Sequence, residues 1–323
     1  AFMAGKIKAD NMGELMRYGQ AFDMKKAAEK AAAKRGGSAA PKAASAGLNK
    51  ACVGRKYRSS AVFVRPELAT AYAAATNDPN PAYEGDGAIV PPIYPVRPIM
   101  DVVGHAVVDE DLNADLLRLV HGEQDMTFHR HLKPWDLVAP RAEIIGIEDK
   151  SSGQLLKVRQ VLMCDGEVVT EVVSGYFIRG DKKPGEKKAR PEPAPEPARD
   201  VVLEATQTVE ADHPYRYGKA SGDENPIHMD ENTAKAAGHP SVILHGLCTM
   251  AFATRGIVDG LCGGDPNRLH RVAVRFSKPV LPGWELTTRV WKDGEVDGRA
   301  RYGFETTNQD GVKVLANAFA EIR

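Results

Sequence analysis

The segment YGKASGDENPIHMDENTAKAAGHPSVILHGL, residues 217–247, decides how the second half of the chain folds. Its Asn-Pro pair at 225–226 is a typical helix start, because asparagine caps free backbone N–H groups and proline suits the first helical position. Gly238 suits a helix exit, so a helix is predicted over 226–237. A second helix, predicted over 247–258, is apolar around much of its circumference, as expected of a helix enclosed by a sheet.

The same segment also carries residues suited to acid–base chemistry. On one continuous helix Asp223 and His228 would be rotated by about 140° from each other and would face different ways. A bend at Pro226 can turn both toward one point, with a water molecule between them. His245 and Gly246 start the second helix, where free backbone N–H groups can polarise a carbonyl oxygen. An isolated Asp-x-Asn-Pro is an ordinary helix start, so the chemical interpretation depends on this later His-Gly pair.

The two halves of the chain resemble each other. The stretch TNDPNPAY, residues 76–83, matches residues 221–228 at a constant separation, since 223 − 78 = 145. An Asp-Gly pair between strand-like runs recurs at the same separation, since 310 − 165 = 145. In each half the strands follow the helix rather than alternating with it, which indicates an α+β plan. We therefore predict an internal duplication.

Two segments of unusual composition divide the chain. Residues 25–50 are rich in alanine and lysine and almost lack bulky apolar side chains, and residues 181–200 hold five prolines and eleven charges. Neither can offset the entropy of ordering by burial, so we predict linkers there, with repeats at 51–180 and 201–323. A short piece, 1–24, resembles the end of a sterol-carrier-like domain in its Phe-Met-x-Gly-Lys-Ile-Lys portion; the alternative is an amphipathic helix that docks on the body.

Composition excludes several classes of protein. Lys plus Arg and Asp plus Glu are each 43, so no basic excess attracts nucleic acid. The apolar runs are far shorter than the ~20 residues that span a bilayer, so we predict no membrane span. Four widely spaced cysteines form neither a zinc knuckle nor a disulfide framework, which favours a reducing compartment. We expect a cytoplasmic protein if the source is bacterial and a peroxisomal one if it is eukaryotic.

The order Gly-Asp-x-Asn-Pro-hydrophobic-His, followed by His-Gly, resembles the signature of the MaoC-like, (R)-specific enoyl-CoA hydratases, the hydratase 2 family. The resemblance spans about thirty residues of the second repeat and implies a hot-dog fold, a central helix wrapped by an antiparallel sheet. For two tandem copies it implies a double hot dog. By the same resemblance the catalytic pair falls on Asp223 and His228, the motif asparagine on Asn225, and the glycine whose N–H binds the thioester oxygen on Gly246.

The first repeat departs from this pattern. Tyr83 stands where the second repeat has His228. Four prolines interrupt the segment where its central helix would begin, at positions 91, 92, 95 and 98. We therefore expect the first repeat to be inactive, and by analogy with similar enzymes to make room for a long acyl chain.

The function implied by the resemblance is hydration of trans-2-enoyl-CoA to (3R)-3-hydroxyacyl-CoA, a reaction that needs no metal or redox cofactor. Dehydration of 3-hydroxyacyl chains on acyl-carrier protein would use the same residues. A non-catalytic module that binds acyl thioesters or lipids is the alternative of a different class. The sequence leaves open a homodimer and membership of a larger multidomain lipid enzyme.

The remaining aromatic and imidazole residues carry no clear chemical pattern. Four histidines lack the spacing of metal ligands and are predicted to be structural or exposed, namely His105, His121, His129 and His131. The three tryptophans fall in or beside strand runs and are predicted to pack in the core or at its rim.

Overall fold

The computed structural model describes residues 47–116, 118–180 and 199–323. The predicted 1–24 piece and most of both predicted linkers lie outside these residues. Leu48, at the end of the first predicted linker, is buried in the core, and Asn49 caps a short 3₁₀ helix, Lys50–Cys52. The first repeat therefore already has ordered structure before residue 51.

The described elements fall into two similar series. The first contains β1 (Lys56–Arg58), β2 (Val62–Phe63), α1 (Pro66–Ala75), α2 (Val96–Val107), β3 (Leu119–Phe128), β4 (Leu137–Lys150), β5 (Gly153–Cys164) and β6 (Glu167–Arg179). The second contains β7 (Val201–Thr208), α3 (His213–Ser221), α4 (Pro226–Met229), α5 (Glu231–Ala236), α6 (Gly246–Leu261), β8 (Leu269–Phe276), β9 (Glu285–Val296), β10 (Arg299–Asn308) and β11 (Lys313–Ile322). Further 3₁₀ turns lie at Pro81–Tyr83, Glu110–Leu112 and Pro266–Arg268.

One continuous antiparallel sheet contains both series. Its strand order is β1-β4-β5-β6-β3-β8-β11-β10-β9-β7, with β2 paired to β4. Read outward from the centre, each half has the same order of corresponding strands. The predicted Asp-Gly turn at 165–166 joins β5 to β6, and both residues have positive φ, 52° and 86°, as a two-residue type I′ hairpin requires.

The two repeats join where β3 pairs with β8. Asp125 lies opposite Ala273, and 273 − 125 = 148, so equivalent residues face each other across a local twofold axis. Tyr72 and Tyr217 form a second contact between equivalent positions, since 217 − 72 = 145, and their buried hydroxyl oxygens lie 2.9 Å apart. The repeats thus share both a sheet and a core.

The helix predicted over 226–237 is interrupted. Asp230 has extended backbone angles, φ −136° and ψ 118°, and it ends α4 while its side chain caps α5 by accepting from Thr233 N–H at 2.7 Å. An aspartate competes with the helix for backbone N–H groups, which is why it favours caps over helix interiors. The predicted second helix is present and longer, as α6. Gly256 of α6 allows close packing on β7, since a Cβ there would lie 2.7 Å from Ala205 Cβ.

The prolines of the first repeat delay its central helix but do not abolish it. Pro95 is the N-cap of α2, and Pro98 lies in the first turn, where a missing N–H removes no hydrogen bond. The prolines were expected to interrupt the start of the central helix. The helix begins after three of them and then runs without a break, so the central helix of the first repeat is present. Within the described residues, no helix has the length and apolar character needed to cross a bilayer.

Candidate active site

Asp223 lies in the loop between α3 and α4. Helix α3 ends at Ser221, and Gly222 then adopts the left-handed conformation, φ 83°, which reverses the chain direction. The Asp223 carboxylate accepts a hydrogen bond from Asn225 N–H at 3.3 Å, while the Asp223 carbonyl lies 2.7 Å from His245 Nε2. Both contacts hold the loop in place.

His228 lies on the short helix that follows. Asn225 caps this helix by accepting from Ile227 N–H at 3.2 Å. His228 is buried, and its Nδ1 lies 2.7 Å from the Ile243 carbonyl oxygen. Because a carbonyl only accepts, Nδ1 carries the proton, and Nε2 of the neutral ring has a free lone pair. His228 is therefore held in the tautomer that can act as a base.

The bend at Pro226 brings the predicted pair together with a third group. Asp223, His228 and His245 each place one oxygen or nitrogen atom within 4.8 Å of the others. The rings of His228 and His245 are stacked, with centroids 3.7 Å apart and planes 24° apart. An imidazole lone pair lies in its ring plane, so rings that are nearly face to face cannot both point at one ion. The stacked rings therefore do not suit a metal, and Asp223 and His228 are left as the pair that can share a water molecule.

Gly246 begins α6, immediately beside this pair. The first N–H groups of a helix have no intrahelical partner, so Gly246 can donate to a ligand. The position has no room for a side chain, because a Cβ would lie 2.9 Å from Cδ1 of Phe276. The predicted carbonyl-binding group therefore lies under an aromatic ring, on the wall of the same cavity as Asp223 and His228.

That cavity has a volume of about 380 Å³ and extends between the repeats. Asp223, His228 and Gly246 line one part of it. Apolar side chains of α2 line another, namely Val96, Ile99, Met100, Val103 and Val107. We call the part of the cavity that these α2 side chains line its apolar end; the second repeat also contributes apolar side chains, such as Leu244 and Leu247.

His121, one of the four histidines predicted to be structural or exposed, also lines this cavity. It stacks on Tyr176 at 5.0 Å and meets the edge of Phe276 at 5.1 Å. Its Nε2–H donates to Gln124 Oε1 at 3.0 Å. No sequence motif predicts this location, because the contact of His121 with Phe276 follows from the pairing of β3 with β8 across the two repeats.

Burial keeps the histidines of the site neutral. Burial lowers the pKa of His228, although the nearby Asp223 carboxylate opposes this effect. Burial also lowers the pKa of His245 to about 3 and that of His121 to about 4. For His228 desolvation is the largest cause of the lowered pKa. All three rings are therefore uncharged near pH 7.

The equivalent positions of the first repeat form a closed pair instead. The Tyr83 hydroxyl donates to Asp78 at 2.8 Å, so this carboxylate is already occupied. Val90 and Leu244 make equivalent backbone bonds, to Leu132 and Val280 carbonyls at 2.9 and 2.8 Å. Since 244 − 90 = 154 and 246 − 154 = 92, the residue equivalent to Gly246 is a proline, which has no N–H to donate. The first repeat lacks both the base and the donor.

These features define a class: two hot-dog units in one sheet, with an acid–base site in the second unit. Comparison with known proteins agrees with this class. Residues 192–313 match the profile of the MaoC like domain, and residues 51–172 match that of the FAS1-like, dehydratase domain region. A probable enoyl-CoA hydratase 2 of Dictyostelium discoideum is 31% identical over 243 residues, which cover 71% of this chain and 78% of that protein. The chain belongs to the MaoC-like hydratase 2 family.

Other relatives are much longer than this chain or are named as dehydratases rather than hydratases. The peroxisomal multifunctional enzyme type 2 of Mus musculus is 32% identical over 65% of this chain, but the match covers only 28% of that enzyme. The 3-hydroxyacyl-thioester dehydratase Y of Mycobacterium tuberculosis is 34% identical over 60% of this chain and 68% of its own length. A MaoC-like dehydratase structure from Phytophthora capsici superposes with a TM-score of 0.74 at 24% identity, covering 85% of this chain and 98% of that one. The predicted double hot-dog fold is confirmed.

Proposed function

We propose that the protein adds water to trans-2-enoyl-CoA and forms (3R)-3-hydroxyacyl-CoA, reversibly. The observation that carries this proposal is the convergence of Asp223, the free Nε2 of His228 and the start of α6 at Gly246 on one cavity. Similarity to the Dictyostelium enoyl-CoA hydratase 2, and to a peroxisomal enzyme of that name from Arabidopsis thaliana, supports the same chemistry.

The reaction divides naturally among these groups. The thioester oxygen accepts from Gly246 N–H, which draws electron density from the β carbon. A water molecule held between the Asp223 carboxylate and His228 Nε2 gives up one proton to this pair as its oxygen bonds to the β carbon. The π electrons of the double bond move toward the thioester, and Asp223 and His228 together return a proton to the α carbon. One water is added in total and the enzyme groups end unchanged.

The apolar end of the cavity provides a place for the acyl chain. With the thioester at Gly246, the chain would extend toward the side chains of α2, such as Val103 and Met100. We propose that the late start of α2 after its prolines, at Val96, leaves space for this chain. This assigns a role to the inactive repeat: it contributes the acyl-binding wall.

The reaction as written needs water and no other co-reactant. We propose that the enzyme uses neither a metal nor a redox cofactor, since general acid–base help and one oxyanion donor act directly on the substrate. Acid–base catalysis typically contributes about 10²- to 10⁴-fold in rate, and one oxyanion donor about 2.7–4 kcal/mol. Neither suffices alone, so both groups are required.

The test follows loss of the conjugated enoyl-thioester absorbance, with the configuration of the product assigned. We expect Asp223→Asn and His228→Gln each to reduce kcat by at least about 10²-fold. The matched controls are Asp78→Asn and Tyr83→Phe, at the equivalent positions of the first repeat, which should keep full activity. Undiminished turnover in both second-repeat variants would refute the site.

The reverse reaction on acyl-carrier protein is the second candidate. It is favoured by the similarity to a 3-hydroxyacyl-thioester dehydratase. Arg179 and Lys278 line the cavity and suit the phosphate groups of coenzyme A and of phosphopantetheine alike. Parallel kcat/KM measurements on matched CoA and carrier-protein substrates decide between the carriers.

We propose that the chain works either as a homodimer or within a larger multidomain enzyme. The second arrangement is supported by the multifunctional relatives, in which the matching region is about a quarter to a third of the whole, 28% in mouse and 35% in Drosophila melanogaster. Relatives named as peroxisomal support that compartment if the source is eukaryotic. A cytoplasmic location is proposed for a bacterial source. Molar mass in solution tests the dimer.

A further inference from the structure

His245 lies behind the reacting groups rather than among them. The described residues that line the cavity include Asp223, His228 and Gly246 but not His245, which is only 2% exposed. Even so, it touches both members of the catalytic pair, through its Nε2–H to the Asp223 carbonyl at 2.7 Å and through its ring on His228 at 3.7 Å. It is also the N-cap residue of α6, directly before Gly246. One side chain therefore contacts or adjoins all three functional groups.

The other ring nitrogen of His245 has no evident structural use. Because Nε2 donates to a carbonyl, the neutral ring keeps its lone pair on Nδ1. This Nδ1 is buried and has no hydrogen-bond partner among the described residues. A buried acceptor without a partner is costly, and the fold retains one at this position. A ring selected for stability alone would satisfy this atom or replace it with carbon.

His245 also connects the site to the axis between the repeats. The ring of Tyr217 lies 4.8 Å from the ring of His245, and the Tyr217 hydroxyl meets Tyr72 of the first repeat at 2.9 Å. All these residues are buried. A column of packed rings therefore runs from Tyr72 through Tyr217 and His245 to His228, and it packs against one face of the catalytic imidazole.

We propose that His245 is a positioning residue for the hydration reaction. Its N–H fixes the backbone that carries the Asp223 carboxylate, and its ring fixes the plane of His228, so that both groups meet one water molecule above Gly246. This inference rests on the proposed function. Since His245 does not line the cavity, its loss is expected to act on kcat rather than on substrate binding.

Two substitutions separate the two contacts. His245→Phe keeps a flat ring against His228 and removes the donor to Asp223, whereas His245→Gln keeps a donor and removes the stacked ring. We expect each to reduce kcat by about 10²-fold, the size of effect that a displacement of about 1 Å in a reacting group produces. KM, and the Kd of a saturated acyl-CoA that cannot react, should change less than about threefold.

The first repeat contains a matched control, His131. It is buried, its ring is stacked on Phe128 at 4.9 Å and 24°, and its Nε2 lies 3.0 Å from the Leu269 carbonyl. His131→Phe and His131→Gln thus remove the same types of contact away from the cavity. They should lower Tm at least as much as the His245 variants while leaving kcat unchanged.

The outcomes are distinct. Reduced kcat with unchanged ligand affinity in the His245 variants alone supports the positioning role. Full activity of both His245 variants in an active protein overturns it and leaves the proposed function standing. Loss of fold in both, with the His131 variants intact, shows a structural role and also overturns it. An inactive unmodified protein, across short and long enoyl-CoA chains, overturns the proposed function and the positioning role together.

Discussion

A single added carbon at Gly246 is expected to impair catalysis without filling the cavity. In Gly246→Ala the new Cβ would lie 2.9, 3.0 and 3.2 Å from three atoms of the Phe276 ring. Ordinary contact begins near 3.4 Å, so the two groups must separate by about 0.5 Å, since 3.4 − 2.9 = 0.5. Phe276 also packs against His121, at 5.1 Å between ring centroids, which restricts its movement. The start of α6 must therefore take part of the displacement.

The magnitude follows from the role of the Gly246 N–H. Complete loss of one oxyanion donor costs about 10²–10³ in kcat, and a displacement of about 1 Å can cost 10²-fold. A shift of half that size is expected to reduce kcat by about 10- to 100-fold. Phe276→Leu removes the opposing ring edge, so the double variant should recover most of this loss.

The assay is the decrease of enoyl-thioester absorbance, measured together with Tm for each variant. Gly256→Ala is the matched control, because it adds the same carbon to the same helix and meets Ala205 Cβ at 2.7 Å, on the side packed against β7. It should lower Tm but leave kcat per folded molecule unchanged. Unaltered kcat in Gly246→Ala, or an equal kcat loss in Gly256→Ala, would contradict a carbonyl-binding role for this N–H.

Three further predictions concern acid stability, the contact between the repeats and chain length. Burial lowers the pKa of His131 to about 4, so between pH 4 and the ordinary 6.5 the unfolded chain binds one more proton at this residue than the folded chain does. The contribution of His131 to the free energy of unfolding therefore falls by about 1.4 kcal/mol for each pH unit below 6.5. His131→Gln removes this contribution and should flatten the decrease of Tm from pH 7 to 5. Tyr72→Phe leaves the buried Tyr217 hydroxyl unpaired and should cost about 1–3 kcal/mol in urea unfolding, whereas the double Tyr→Phe variant should cost clearly less than the sum of the two single variants. Met100→Trp narrows the apolar end of the cavity and should reduce kcat/KM on long enoyl-CoA chains while sparing a four-carbon substrate; an equal loss on both would place the acyl chain elsewhere.

The local part of the site could be predicted from the sequence because it is encoded locally. Asn225, Pro226 and Gly222 determine a cap, a bend and a reversal within a few residues, and these determine how Asp223 and His228 face each other. The duplication was visible as a constant separation in the sequence, and the hot-dog fold followed from the resemblance of the second repeat's motif to the hydratase 2 family. Only the local geometry of the motif depends on short-range rules of backbone conformation.

The remainder depends on contacts between distant residues. His121 enters the cavity only through the register of β3 on β8, which brings together residues about 150 positions apart. The break at Asp230 was missed because this aspartate was read as a residue of the first helical turn, whereas its side chain caps the next helix, α5. The prolines of α2 were interpreted as an interruption, although three of them precede the helix and the fourth occupies its first turn.

The junction of β3 and β8 has a consequence for dissecting this protein. If either repeat were produced alone, its central strand would lose a neighbour and expose a row of unpaired N–H and C=O groups, the arrangement that promotes edge-to-edge aggregation. Half-length fragments should therefore be insoluble when expressed separately. Co-expressed, the same fragments carry complementary edges, and they should reassemble into an active enzyme from two polypeptides.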